Sequence, residues 1–224
     1  MAKMHQVFVG CPFARAIRAN YDRLKRDLEA ETPLHVVLAD TAAISSTDYL
    51  LENITSLIRE SAGCIFDVTG GNPNVSLEVG IAHAVPAEFI LALSTRRSRR
   101  RVPAQSGQIP NPDVRPIISD LQGRNRIEYK TYKALKDQIM RRFSPKIPYL
   151  TRWHEFKLRS ACLVEHAIKV FGQLRQSGRT LRPRVIAQLE GTGIDPDTLL
   201  RDLSNARLLV VKRGRQGGIY YPSK

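Results

Sequence analysis

Ala62-Gly63-Cys64-Ile65-Phe66-Asp67-Val68-Thr69-Gly70-Gly71-Asn72-Pro73-Asn74-Val75-Ser76-Leu77-Glu78-Val79-Gly80-Ile81-Ala82-His83 is the stretch that decides the fold. Its opening apolar run, Ala62 to Phe66, reads as a buried parallel strand. The Gly/Asn/Pro cluster that follows is a turn, and Val75 to Val85 reads as a helix. Asp67 therefore stands at a strand's carboxyl end and Glu78 in the first turns of the next helix. In open α/β sheets that edge is where ligands bind. Glu78 lies three residues after Val75 and four before Ala82, so it shares their helix face. A carboxylate on an otherwise apolar, small-residue stripe is costly to bury unless something uses it. Glu78 is read as a catalytic acid group at the floor of a nucleotide pocket, the competing reading being a structural ion-pair partner.

Outward from this stretch, strand and helix alternate. Strands are expected at Gln6–Gly10, Leu34–Ala39, Cys64–Asp67, Phe89–Leu93 and Asn125–Tyr129. Helices are expected at Ala14–Ala30, Asp48–Ser61, Val75–Val85 and Tyr132–Phe143, the second turning Leu50, Ile54, Leu57 and Ile58 inward. The pattern predicts an α/β domain with a parallel sheet and helices on both faces. The basic, Pro/Gly-rich stretch Thr95–Pro116 reads as a long loop or insertion.

Ser144-Pro145-Lys146-Ile147-Pro148-Tyr149-Leu150 has two prolines in four positions and no periodicity, which places a boundary between a domain over 1–146 and a second over 150–224. The second part reads as a long helix His154–Gln176, shorter helices Pro183–Glu190 and Asp195–Ala206, and β-rich runs Leu208–Lys212 and Gly218–Tyr221. The last two are joined by Arg213-Gly214-Arg215-Gln216-Gly217 as a hairpin. Asp195-Pro196 is a good helix start, an acid at the cap and proline at the first position. Three helices and a basic hairpin are the order of a winged helix-turn-helix.

The chain has 224 residues, 42% of them apolar, and a formal charge of +14. That is enough apolar material for a packed core. No apolar run approaches the ~18 residues needed to span a bilayer, so no membrane partner is expected. No signal-peptide core precedes the first strand. Cys11, Cys64 and Cys162 have no metal spacing and read as thiols of a reducing compartment, so a cytoplasmic location is expected. Five scattered histidines offer no metal-ligand set, and no P-loop or Gly-x-Gly-x-x-Gly is present. The positive charge would draw polyanions. It gathers at Arg96, Arg97, Arg99, Arg100 and Arg101, and at Lys212, Arg213 and Arg215 on the hairpin.

Several blocks carry a family likeness. Val7-Phe8-Val9-Gly10-Cys11-Pro12-Phe13 resembles the opening strand and Pro-Phe turn of TIR-like and nucleoside 2-deoxyribosyltransferase-like domains. Leu51-Glu52-Asn53-Ile54, Asp67 to Val75, and Glu78-Val79-Gly80-Ile81-Ala82-His83-Ala84 look like their second and third blocks. Leu121 to Tyr129 is similar to the late strand of the bacterial TIR-like group. The resemblance covers residues 6–143 and implies a flavodoxin-like fold. It also implies an enzyme that cleaves or exchanges N-glycosidic bonds through a glutamate at the place of Glu78. The bacterial TIR-like group acts on NAD in anti-phage defence, so NAD is the implied substrate, with no other cofactor, and self-association the implied route to activity. The arginine-rich stretch and the C-terminal part depart from the plain pattern.

Cleaving an N-glycosidic bond builds oxocarbenium character on the ribose, which a carboxylate stabilises electrostatically or attacks. Around Glu78, Asp67 is a candidate to hold a ribose hydroxyl, or else a turn cap. Asn72 and Asn74 are candidates to orient sugar or base, or else ordinary helix-start chemistry. Gly10, Gly70 and Gly71 would let backbone approach the ligand. Phe13 and Tyr21 would stack on it, or belong to the core. His83 reads as structural. The helix Asp195–Ala206 carries three aspartates, which suits it poorly to a phosphate-lined groove, so the hairpin is the better nucleic-acid candidate. Two rival functions stand beside the NAD hydrolase: a nucleic-acid-binding regulator whose first domain senses a nucleotide, and a nucleoside 2-deoxyribosyltransferase.

Overall fold

A computed structural model of the chain describes residues 3–39, 50–85, 88–95, 126–212 and 217–222. Outside them lie the arginine-rich stretch from residue 96 onward, Asn125, and the hairpin residues 213–216, Arg213 and Arg215 included. In chain order the first part comprises β1 (Lys3–Gly10), α1 (Arg15–Glu31), β2 (His35–Leu38), α2 (Leu50–Glu60), β3 (Ser61–Asp67), α3 (Pro73–Ala84), β4 (Phe89–Ser94), β5 (Arg126–Tyr129) and α4 (Tyr132–Phe143). The strands form one parallel sheet in the order β2-β1-β3-β4-β5. That is the flavodoxin-like order, whose direction of winding reverses between β1 and β3.

Alternation along the strands assigns the two faces. Val7, Val9, Ile65, Ala92 and Ile127 pack with Ile17, Tyr21, Leu24 and Leu28 of α1 and with Leu135 and Ile139 of α4. Phe8, Cys64, Phe66, Leu91 and Leu93 pack with Ile58 of α2 and with Val75, Val79 and Ala82 of α3. Both faces are covered, which is why the strands read as continuous apolar runs. β1 starts at Lys3 rather than Gln6, because Lys3 already pairs with Ser61 before a register shift ahead of Val7.

Beyond α4, a 3-10 turn Ser144–Lys146 leads into α5 (Pro148–Arg159), and Ile147, Tyr149 and Leu150 of the expected boundary are buried. The single helix expected over His154–Gln176 is two, α5 and α6 (Val164–Ser177), parted at Ser160 (φ −131°, ψ 50°). The break is tertiary in origin. Trp153 stacks on Phe156 at 5.4 Å and meets the edge of Phe171 at 6.0 Å. In one straight helix Trp153 and Phe171 would stand about 27 Å apart. Then follow β6 (Arg179–Thr180), α7 (Arg182–Leu189), α8 (Pro196–Asn205), β7 (Val210–Lys212) and β8 (Gly218–Tyr220), the strands forming an antiparallel sheet in the order β6-β8-β7. β6 was not expected, being too short to carry a pattern.

The C-terminal part is fastened to α1. Arg175 of α6 donates from Nη1 to the carbonyls of Thr32 (3.4 Å) and Leu34 (3.2 Å), and from Nη2 to Glu29 (2.8 Å). The Trp153 indole donates to the Glu31 carbonyl at 3.0 Å. The His5 ring of β1 lies flat on Tyr221, centroids 3.6 Å apart. One hydrophobic cluster runs from β1 and α1 through α5, α6 and α8. No described helix is long and apolar enough to cross a membrane.

Candidate active site

The carboxyl ends of β1 and β3 lie side by side, Gly10 opposite Phe66. After Asp67 the chain turns through Gly70 (φ 81°) and Gly71 (φ 63°), a left-handed pair that side chains with a Cβ resist. Asn72 then caps α3: its Oδ1 accepts from the N–H of Asn74 (3.0 Å) and of Val75 (3.3 Å), and Pro73 takes the first helical position. The cap aims α3 back over the sheet, with Val75, Glu78, Val79 and Ala82 buried beneath it.

Glu78 is only 6% exposed, and its Oε2 has no hydrogen-bond partner among the described residues. Burial pushes its carboxyl up to about 7. The carboxylate lies against Gly10: a Cβ added at residue 10 would fall 1.9 Å from Oε2. Cys64 is close enough that burial and then the charge of Glu78 push its thiol up to about 12, which leaves it an inert neutral neighbour. Near neutral pH Glu78 is thus divided between a protonated acid and an ionised carboxylate stripped of water. The ionised form is a strong partner for a centre that gains positive charge, and the protonated form is a proton donor.

Asp67 corrects an expectation. It was expected to face the same ligand as Glu78, but it is 0% exposed and stands on the opposite side of the sheet, one residue out of phase with Phe66. Its Oδ1 accepts from the Thr69 N–H at 2.8 Å and its Oδ2 from the Tyr129 hydroxyl at 2.7 Å. Thr69 Oγ1 in turn accepts from the Ser94 N–H at 2.8 Å, tying the ends of β3 and β4 together. The buried Tyr21 of α1 completes this group rather than stacking on a ligand. Burial first, then the charge of Asp67 and of Tyr129, hold its hydroxyl well above the usual phenol range. Asp67, Tyr21 and Tyr129 are a structural lock under α1. Tyr129 escaped the sequence reading because its contact crosses β4, and only the register makes that visible.

The remaining candidates divide by position. Phe13 (56% exposed), Gly70, Gly71 and Asn74 are open at the carboxyl edge of the sheet, with Asn72 half-buried beside them. The Asn72 carbonyl oxygen is spent on the helix cap. His83 is exposed, its ring edge-on to Phe89 at 6.5 Å. Lys212, the one described cation of the hairpin set, holds its Nζ 5.3 Å from the Tyr220 ring centre. On α8, Asp195 caps the helix through the Thr198 N–H and Asp197 binds Arg182 at 2.9 Å. Two surface cavities, one between α1, α5 and α6 and one between α7, α8 and the β7–β8 hairpin, lie away from Glu78. Among the described residues no group of three or more His, Cys, Asp or Glu could hold a metal ion.

No family model matches the chain, and no curated protein matches its sequence. Among solved structures the chain is similar to a 2-desoxiribosyltransferase from Leishmania mexicana, at 14% identity and a TM-score of 0.34. That similarity covers 39% of this chain and 63% of the other.

Proposed function

We propose that this chain is a glutamate-dependent N-glycosidase that hydrolyses NAD at the ribose–nicotinamide bond. One observation carries the reading: a buried carboxylate, unpartnered among the described residues, set against Gly10 at the carboxyl ends of β1 and β3, between which the winding reverses. A flavodoxin-like sheet binds its ligands at that crevice. A carboxylate left without a partner there is an expense that a cationic transition state would offset.

In this reading the C1′–N bond breaks with its electron pair passing to the nicotinamide nitrogen, which leaves neutral and needs no general acid. Positive charge spreads over C1′ and the ring oxygen, facing ionised Glu78, which stabilises it or bonds to C1′. Water then adds at C1′, breaking the Glu78–C1′ bond and freeing the carboxylate where that bond has formed, and releases a proton to solvent, giving ADP-ribose. Phe13, Gly70, Gly71, Asn72 and Asn74 border the ligand.

The C-terminal part is read as a winged-helix-like module that regulates or assembles the enzyme. The order α6, β6, α7, α8, β7, β8, three helices with a small antiparallel sheet, supports that reading. A polyanion reached through Lys212, Arg213 and Arg215, self-association, a cytoplasmic setting and a place in antiviral defence belong to the same proposal. The net charge of +14 supports the polyanion.

The test is nicotinamide release from NAD, followed by chromatography, for the wild type and Glu78→Gln at high protein concentration, with and without duplex DNA. Release that disappears in the variant supports the reading, and a DNA effect identifies the trigger. Absence of both nicotinamide release and NAD binding refutes it. Base exchange between deoxynucleosides, with NAD untouched, identifies a transferase instead.

A further inference from the structure

We propose that Gly10 is a positioning residue whose missing side chain forms the berth of the Glu78 carboxylate, so that the two residues are a matched pair. The inference rests on the reading of Glu78 as the acting carboxylate, and it concerns what holds that group in place.

Glycine inside a strand weakens it and marks a place where another group comes close. Gly10 does not have the backbone reason that explains Gly70 and Gly71, because it is not among the glycines with positive φ. Its reason is space. Phe8, two residues before Gly10 on the same face, packs with the buried residues of α2 and α3 and fills its place with a ring. At residue 10 the equivalent volume is occupied from across the layer: an added Cβ would lie 1.9 Å from Glu78 Oε2 and 3.1 Å from its Cδ. The same Cβ would lie 2.8 Å from Phe66 Cδ1. Phe66, fully buried with Phe8 at 6.0 Å and Phe89 at 6.2 Å, would have to give far less than Glu78. Glu78, whose Oε2 has no partner among the described residues, is the group that must move. The space expected to admit a ligand's approach to Gly10 is therefore already taken by the carboxylate. Glutamate and glycine also match in length: aspartate at 78 would withdraw from the berth, and alanine at 10 would close it.

The experiment is carbon-13 NMR of side-chain carboxyl groups across pH on four full-length proteins: wild type, Glu78→Gln, Gly10→Ala, and Gly10→Ala with Glu78→Asp. One wild-type glutamate should titrate near neutrality, and Glu78→Gln should remove it. In Gly10→Ala that titration should fall by about one pH unit or more as the carboxylate is driven toward water. In the double variant the shorter aspartate, labelled in its turn, should again titrate above the usual carboxylate range. An unchanged titration in Gly10→Ala overturns the proposal, as does a wild type with no glutamate titrating near neutrality. Should Gly10→Ala fail to fold, recovery of folding in the double variant locates the clash at Glu78, and failure of both overturns it. None of these readouts uses activity, so absence of NAD cleavage and absence of the berth are separate results.

Discussion

Glutamine at position 78 should make the protein more stable above neutral pH and slightly less stable in acid. Burial raises the Glu78 carboxyl from 4.5 to about 7. At about 1.4 kcal/mol per unit, ionising it costs the fold on the order of 3 kcal/mol. The folded protein holds this proton where the unfolded chain has released it. Stability therefore falls as pH climbs from the unfolded value toward the folded one, and the full loss is present above the folded value. Glutamine never ionises and escapes the loss, though its own unpartnered amide costs about 1–2 kcal/mol. The net gain is about 1–3 kcal/mol at about pH 8, a rise in Tm of roughly 2–10 °C for a chain of this size. Toward the ordinary glutamate range the gain should vanish and turn into a loss of about 1–2 kcal/mol, the cost of the amide alone. Paired thermal melts by circular dichroism across pH suffice, because every other group titrates alike in both proteins and drops out of the difference. A variant less stable than wild type at neutral pH and above, with the deficit vanishing in acid, would refute the reasoning and make Glu78 a structural ion-pair partner.

Two further outcomes follow from the other polar contacts. Tyr129→Phe removes the donor to buried Asp67 and should cost about 1–3 kcal/mol, read as a lower urea midpoint; an unchanged midpoint would mean that the lock contributes nothing. Arg175→Ala removes the donor to three carbonyls at the end of α1 and should cost about 2–4 kcal/mol. In wild type, Trp153 fluorescence and circular dichroism should report one coincident unfolding transition, because a single hydrophobic cluster joins both parts of the chain. Two separate transitions would show that the parts unfold independently.

The five-stranded sheet was legible in the sequence because each strand is buried on both faces and each helix keeps an apolar stripe. Glu78 was legible for a similar reason, as a carboxylate on a stripe where the pattern calls for a small or apolar residue. Its surroundings were not legible. Nothing in the residues says that the chain, after β2, returns to the far side of β1, so the meeting of residues 10 and 78 exists only in the topology. Asp67 was drawn to the wrong side because the linear reading placed it at the right edge without counting the alternation that turns it away from Phe66. The break at Ser160 has neither proline nor glycine to announce it, and its cause lies in the contact of Trp153 with Phe171. The expected boundary at 144–150 was read from its prolines, although Ile147, Tyr149 and Leu150 give it a buried side.

α1 has one end at each centre of interest. Its 17 residues make a rod of about 25 Å. Its head follows the loop that leaves Gly10, and its tail is gripped by Arg175 and Trp153. Packed interiors are stiff and pass strain on rather than absorbing it. A load on α6 would therefore bear first on the tail of α1, the helix whose head opens beside Gly10.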